Sequence, residues 1–101
     1  MAEDFLTEII RERSAKNPNF QALVEAARRR RELLRALAEE RERSGFTQTE
    51  VAAAMGTSQS QVARLESATF DAKLSTVEKL AAVLGKKIKW ELIDAKPRSS
   101  R

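Results

Sequence analysis

The chain has 101 residues, enough for one domain with at most a short appendage. It holds no cysteine and no histidine, which excludes disulfides, thiolate or imidazole metal sites, and catalysis by a Cys nucleophile or a His base. Lys and Arg number 19 against 15 Asp and Glu, a net charge of +4 that allows a polyanionic partner without requiring one.

Met1-Ala2-Glu3-Asp4 is acidic and lacks the apolar region of a signal peptide. No apolar run approaches the roughly 20 residues of a membrane helix. Both point to a cytoplasmic protein. Residues Asp4 to Ser14 place Phe5, Leu6, Ile9 and Ile10 at helical spacing, with Arg11 and Arg13 in the last turn, where they complement the helix dipole. Ser14 to Asn17 reads as a break. Asn17 then serves as an N-cap, with Pro18 at the first helical position.

From Pro18 to about Ser44 the apolar residues Phe20, Leu23, Val24, Ala27, Leu34, Leu37 and Ala38 mark one long amphipathic helix, or two with a bend. Arg28 to Arg31 interrupt it. At about 100° per residue the run wraps the helix, so Arg30 or Arg31 must snorkel or meet an acid. The run serves either an anionic partner or a solvated face with Glu25 and Glu32 beside it.

Thr47 to Glu66 predicts two short helices with a tight turn between them. Thr47 with Glu50 fits a capping box, flanked by Phe46 and Val51 as a hydrophobic staple. Val51, Ala52 and Met55 give the first helix its apolar face. Gly56 ends it, because the reversal needs a positive φ. Ser58 with Gln61 repeats the box. Val62 and Leu65 face inward, which leaves Gln59, Ser60 and Arg64 pointing out.

A loop follows from Ser67 to Leu74. Ser75 with Glu78 predicts a third box opening a helix to Leu84, and Gly85 stops it. In Lys86 to Ile93 the period changes: Ile88, Trp90 and Leu92 alternate with Lys87, Lys89 and Glu91, a β-strand pattern. A lone strand needs a partner. It pairs with its own copy across a two-fold axis, with Ile88, Trp90 and Leu92 at the dimer interface, or it folds back on its own helices. Residues 95–101 read as a disordered basic tail.

The stretch SGFTQTEVAAAMGTSQSQVARLE resembles the XRE family, the helix-turn-helix domains of phage lambda repressor type. Gly45, Thr47, Gln48, Ala52, Gly56, Ser58, Gln59 and Glu66 stand where that family's motif has them. The chain departs after Glu66, where the family often has Asn-Gly or a glycine pair and Ser67-Ala68 stand here. The layout around the motif, with an N-terminal helix, an N-P-x-F segment, an Arg-rich helix and a terminal KKIKWELI, resembles the HigA-type antitoxins of toxin–antitoxin operons.

The resemblance implies an all-α, lambda repressor-like bundle of about five to six helices with one C-terminal β-strand that pairs across a dimer. It divides the chain into a helical extension for partner contact (1–30), a DNA-binding domain (31–85), a dimerisation strand (86–94) and a tail (95–101). It implies a cytoplasmic, nucleoid-associated homodimer on a palindromic operator, whose two recognition helices lie about 34 Å apart. The implied second partner is a RelE/HigB-like mRNA-cleaving toxin that the chain neutralises while repressing the shared operon. Carried over by position, Gln48 holds a backbone phosphate, Ser58, Gln59, Ser60 and Arg64 face the groove, and Thr57, Lys73 and Ser75 are phosphate candidates. Glu66 is structural, since an acid facing phosphates would repel them. Phe5, Leu6, Ile9, Ile10, Phe20 and Leu23 are anchors for the toxin, or else a cap on the domain's own core. The alternatives are a stand-alone XRE-family repressor and a protein–protein adaptor on the same fold. No nucleophile–base pair has a recognisable spacing, so an enzyme is not expected, and neither a cofactor nor a metal is expected.

Overall fold

The computed structural model describes residues 2–16, 18–67 and 71–94. Five helices occur among them: α1 (Ala2–Lys16), α2 (Phe20–Ser44), α3 (Gln48–Met55), α4 (Gln59–Ser67) and α5 (Leu74–Val83). The core joins Leu34 and Leu37 of α2 to Val51, Ala52 and Met55 of α3, Val62 and Leu65 of α4, and Val77, Leu80 and Ala81 of α5, with Leu84 just beyond. Val62 and Leu80 are wholly shielded from water. Burying a side chain of that size stabilises by about 1.5–3 kcal/mol. Thus the apolar residues read from the motif form one continuous core.

Local signals set the ends of the motif helices. Thr47 Oγ1 accepts the Glu50 N–H at 3.0 Å, and the Glu50 carboxylate accepts the Thr47 N–H at 2.8 Å, a complete capping box. Phe46 beside it keeps 45% exposure while Val51 is buried. Gly56 closes α3 at φ +73°, and the Thr57 N–H reaches back to the Ala52 carbonyl at 2.9 Å. That backbone shape strains any residue with a Cβ. Gly45 ends α2 in the same conformation. Ser58 Oγ accepts the Gln61 N–H at 3.2 Å, the Ser58 half of the box expected for α4.

The structure corrects four expectations. First, no break opens at Ser14, because α1 runs on to Lys16. Second, Asn19 rather than Asn17 precedes α2: its carbonyl accepts the Leu23 N–H at 3.1 Å, and Pro18 stays in the turn. Proline has no N–H with which to extend α1, so the chain reorients before the next helix. Asn17 itself lies outside the described residues. Third, α5 starts at Leu74, one residue before the expected cap. Lys73 is extended (φ −69°, ψ 144°), and its carbonyl already accepts the N–H groups of Thr76 and Val77. Glu78 is consequently free of a capping duty and accepts the Trp90 indole N–H at 2.7 Å.

Fourth, Lys86–Asp94 forms no strand among the described residues. The segment is extended and lies back on its own helices. Ile88 packs against the core, Trp90 bonds Glu78, and Lys86 pairs with Glu40 at 3.5 Å. Of the alternating apolar residues only Ile88 packs on the core, and Leu92 is fully exposed, so the alternation does not mark one covered side along the whole segment. The expected basic tail, 95–101, lies outside the described residues.

The buried residues of α2 are Leu34 and Leu37. The preceding part of this 25-residue helix carries none, and it packs with α1 as a two-helix arm. There Ile10 shares a groove with Gln21, Val24, Glu25 and Arg28.

Candidate nucleic-acid interface

The exposed side of α4 follows from helical geometry. Val62 and Leu65 bury one face, so Ser60 and Arg64, four residues apart, share the opposite one. Ser58 precedes the first turn and Gln59 opens it, and Thr57 stands in the turn before them. All five side chains are solvent-exposed. Arg64 sits at the C-terminal end of this row.

The inner edge of α4 is held by a polar chain. Arg41 of α2 donates through Nε to Glu66 Oε2 at 2.6 Å and through Nη2 to Glu66 Oε1 at 3.1 Å. Its Nη1 also donates to the Phe46 carbonyl at 2.7 Å. Gln48 Nε2 then donates to Glu66 Oε1 at 2.9 Å, and Gln59 Nε2 donates to Gln48 Oε1 at 2.6 Å. The ion pair is shielded, with side-chain exposures of 12% for Arg41 and 8% for Glu66. The hydrogen bond to Glu66 is the main reason the Arg41 guanidinium is held above its ordinary pKa. The attraction of Glu66 and Glu42 adds to it, and burial opposes it.

This chain has a direction. An ionised carboxylate only accepts hydrogen bonds, so Glu66 must face the Nε2 end of Gln48. Gln48 then offers its Oε1 to Gln59, and that fixes the Gln59 amide with Nε2 toward α3. Gln59 keeps its own Oε1 and a second N–H. An amide with one acceptor and one donor is what adenine N6 and N7 require in the major groove. Glu66 therefore occupies a structural position, neutralised by Arg41, and does not set a negative charge against phosphates.

Sequence reasoning overlooked Arg41. Once Glu66 is read as structural, a shielded carboxylate demands a cation, and the last turn of α2 supplies Arg41 and Arg43. Their helical phase distinguishes them: Arg41 is four residues beyond buried Leu37 and lies near the core stripe.

The remaining candidates are dispersed. Thr57 and Lys73 line one concavity of 310 Å³ with Asp71, Gln61, Thr76, Met55, Leu65 and Ala72, so the structure brings together two of the phosphate candidates, with one acid beside them. Ser75 is exposed in the first turn of α5. Ile88 is half-buried on the core, while Trp90 and Leu92 are 49% and 101% exposed. Of the N-terminal apolar residues, Phe5, Leu6 and Leu23 are exposed and Ile9, Ile10 and Phe20 are half-buried. In the arginine run, Arg28 pairs with Glu25 and Arg30 with Asp71, each at 3.3 Å, and every member is exposed. The described residues contain no group of acids that could hold a metal, and no helix among them is long and apolar enough to cross a membrane.

Comparison with known proteins agrees with this geometry. A family profile described as helix-turn-helix matches residues 37–90, which include α3, α4, α5 and the core end of α2. Two curated relatives, both named Antitoxin HigA1, come from Mycobacterium tuberculosis strains CDC 1551 / Oshkosh and ATCC 25618 / H37Rv. Each is 35% identical over 89 residues, 88% of this chain and 60% of the relative. The chain thus spans about three-fifths of the length of the curated relatives it matches. No solved structure matches it. With its motif helices, their caps and the matched span in agreement, the chain belongs to the XRE-type helix-turn-helix family of DNA-binding domains.

Proposed function

We propose that this chain is a HigA-type antitoxin, which reads a palindromic operator through α4 and neutralises a RelE/HigB-like mRNA-cleaving toxin in the cytoplasm. The observation that carries the DNA half is the clamped row on α4. Gln59 is oriented by Gln48 while Ser58, Ser60 and Arg64 stand exposed beside it. In this reading Gln48 also meets a backbone phosphate, and Thr57 and Lys73 approach a second one from their shared concavity. Arg64 pairs with guanine O6 and N7.

The similarity to Antitoxin HigA1 supports the toxin half, because it covers 88% of this chain and so extends well beyond the helix-turn-helix span. The two-helix arm offers exposed Phe5, Leu6 and Leu23 as anchors, with Ile9, Ile10 and Phe20 beside them. In the proposed homodimer the extended segment after α5 meets its copy. Leu92 and Ile93 are 101% and 68% exposed, and with Ile88 and Trp90 engaged by their own protomer the two outer residues make most of that contact.

Co-purification with the product of the neighbouring gene, followed by footprinting on the upstream DNA, tests both halves. The expected result is a stable complex and two protected half-sites one helical turn apart. A footprint without a partner would leave a stand-alone repressor. A partner without a footprint would leave an adaptor.

A further inference from the structure

A further cavity has no α4 residue in its lining, and one of its walls, Trp90, belongs to the segment of the proposed dimer contact. It measures 210 Å³ and is walled by Leu33 of α2, Leu74 and Val77 of α5, and Trp90 of the extended segment, with Arg29 and Arg30 beside them. The walls are apolar. The Arg30 side chain is half-exposed, and its Nη2 lies 3.3 Å from the Asp71 carboxylate.

We infer that this cavity binds a small amphipathic carboxylate, an aryl- or alkyl-substituted acid, with its apolar body beneath Trp90 and its head on Arg29 and Arg30. Size limits the body. A dry cavity of about 150 Å³ accommodates benzene, so 210 Å³ holds one ring with a short carbon arm. Charge selects the head. Arg30 already holds a carboxylate of this chain, Asp71, at 3.3 Å, and that carboxylate is 91% exposed. A ligand carboxylate can take its place with little loss of solvation. Arg29 has no acidic partner among the described residues within ion-pair distance. Two arginines beside an apolar cavity favour an acid with a hydrophobic tail over a neutral ligand of the same shape.

The position also gives the ligand a means of control, which rests on the DNA-binding reading. Asp71 lies two residues from Lys73, the proposed phosphate contact at the start of α5. A ligand that takes Arg30 from Asp71 releases the segment that places Lys73.

Trp90 is the sole tryptophan, so its fluorescence in the full chain reports on this cavity. Titration with 3-phenylpropionate should give a saturable change, at a concentration about tenfold lower than 3-phenylpropanol requires. Arg29→Gln with Arg30→Gln should bring the acid to within about twofold of the alcohol, which still binds through its ring. Asp71→Asn should tighten the acid alone, since it removes the competing carboxylate. No saturable change with either probe overturns the inference, as does equal affinity for acid and alcohol. A Trp90 signal that tracks protein concentration and ignores the acid also overturns it, because the cavity then faces a second copy. Binding of the acid without any change in DNA affinity refutes this control. A chain that binds the acid but no DNA sinks the DNA-binding reading and not the cavity site.

Discussion

Arg41 and Glu66 are 25 residues apart in sequence and form a two-bond ion pair that ties α2 to the last turn of α4. Both side chains are largely shielded, so removing one leaves a charge with poor access to water. Arg41→Ala is expected to cost about 3 kcal/mol, because a stranded partner is worse than a pair never made. Urea denaturation measures this. The double variant Arg41→Met, Glu66→Met should recover part of the loss, since neither charge is then stranded. A loss below about 0.5 kcal/mol for Arg41→Ala would place the pair among ordinary surface bridges.

Glu66→Gln tests direction apart from stability. A neutral amide can donate as well as accept, so Gln48 is no longer held with Nε2 inward and the Gln59 amide loses its fixed sense. Preference for the operator over random DNA should fall by about 1–2 kcal/mol, the scale of one bidentate base contact. Gel-shift titrations on both DNAs measure the difference. An unchanged ratio would mean that Gln59 is not oriented through Glu66.

Much of this was legible in the sequence, for local reasons. The Thr47–Glu50 box and the turn at Gly56 depend on residues within a few positions of one another and formed as read, and of the Ser58–Gln61 box the Ser58 half formed. The burial of Val51, Val62 and Leu65 followed from period alone. Failures came where a nonlocal contact decided. The alternation from Ile88 to Leu92 placed Ile88 on the core but did not foresee that Leu92 would stand fully exposed. Glu78 had the spacing of a capping residue, but it bonds Trp90, twelve residues on. Arg41 was one of many arginines on a long helix, and only the fold could show which of them meets Glu66.

Arg64 and Lys73 should separate reading from attraction. Arg64→Ala is expected to cost about 1–3 kcal/mol on the operator and to relax preference at one base position. Lys73→Ala should weaken all sequences alike and reduce the slope of log affinity against log salt by about 1. Equal losses on operator and random DNA for Arg64→Ala would refute its base contact.

Gly56 holds φ +73° with open space where a Cβ would stand, so its substitution is a pure test of backbone strain. Gly56→Ala should destabilise by about 1 kcal/mol, and Gly56→Asn by less, because asparagine tolerates this conformation. Denaturation midpoints at unchanged slope measure both. Equal midpoints for all three chains would mean that the turn relaxes out of the left-handed region.

Removal of residues 1–16 addresses the two-helix arm. The described core begins at Leu34 and the polar chain at Arg41, so nothing the DNA-binding surface stands on lies within α1. What the deletion removes is Phe5, Leu6, Ile9 and Ile10, and it uncovers Val24 of α2. If these side chains anchor a toxin, the shortened chain should bind operator DNA with unchanged affinity and fail to retain the toxin on a column. If they only cap the core, the melting temperature should fall and DNA binding should weaken with it, while any toxin binding per folded molecule persists. Running both assays on one preparation, with the folded fraction fixed by circular dichroism, distinguishes the outcomes. Retention of the toxin by the shortened chain would move the contact to the other helices.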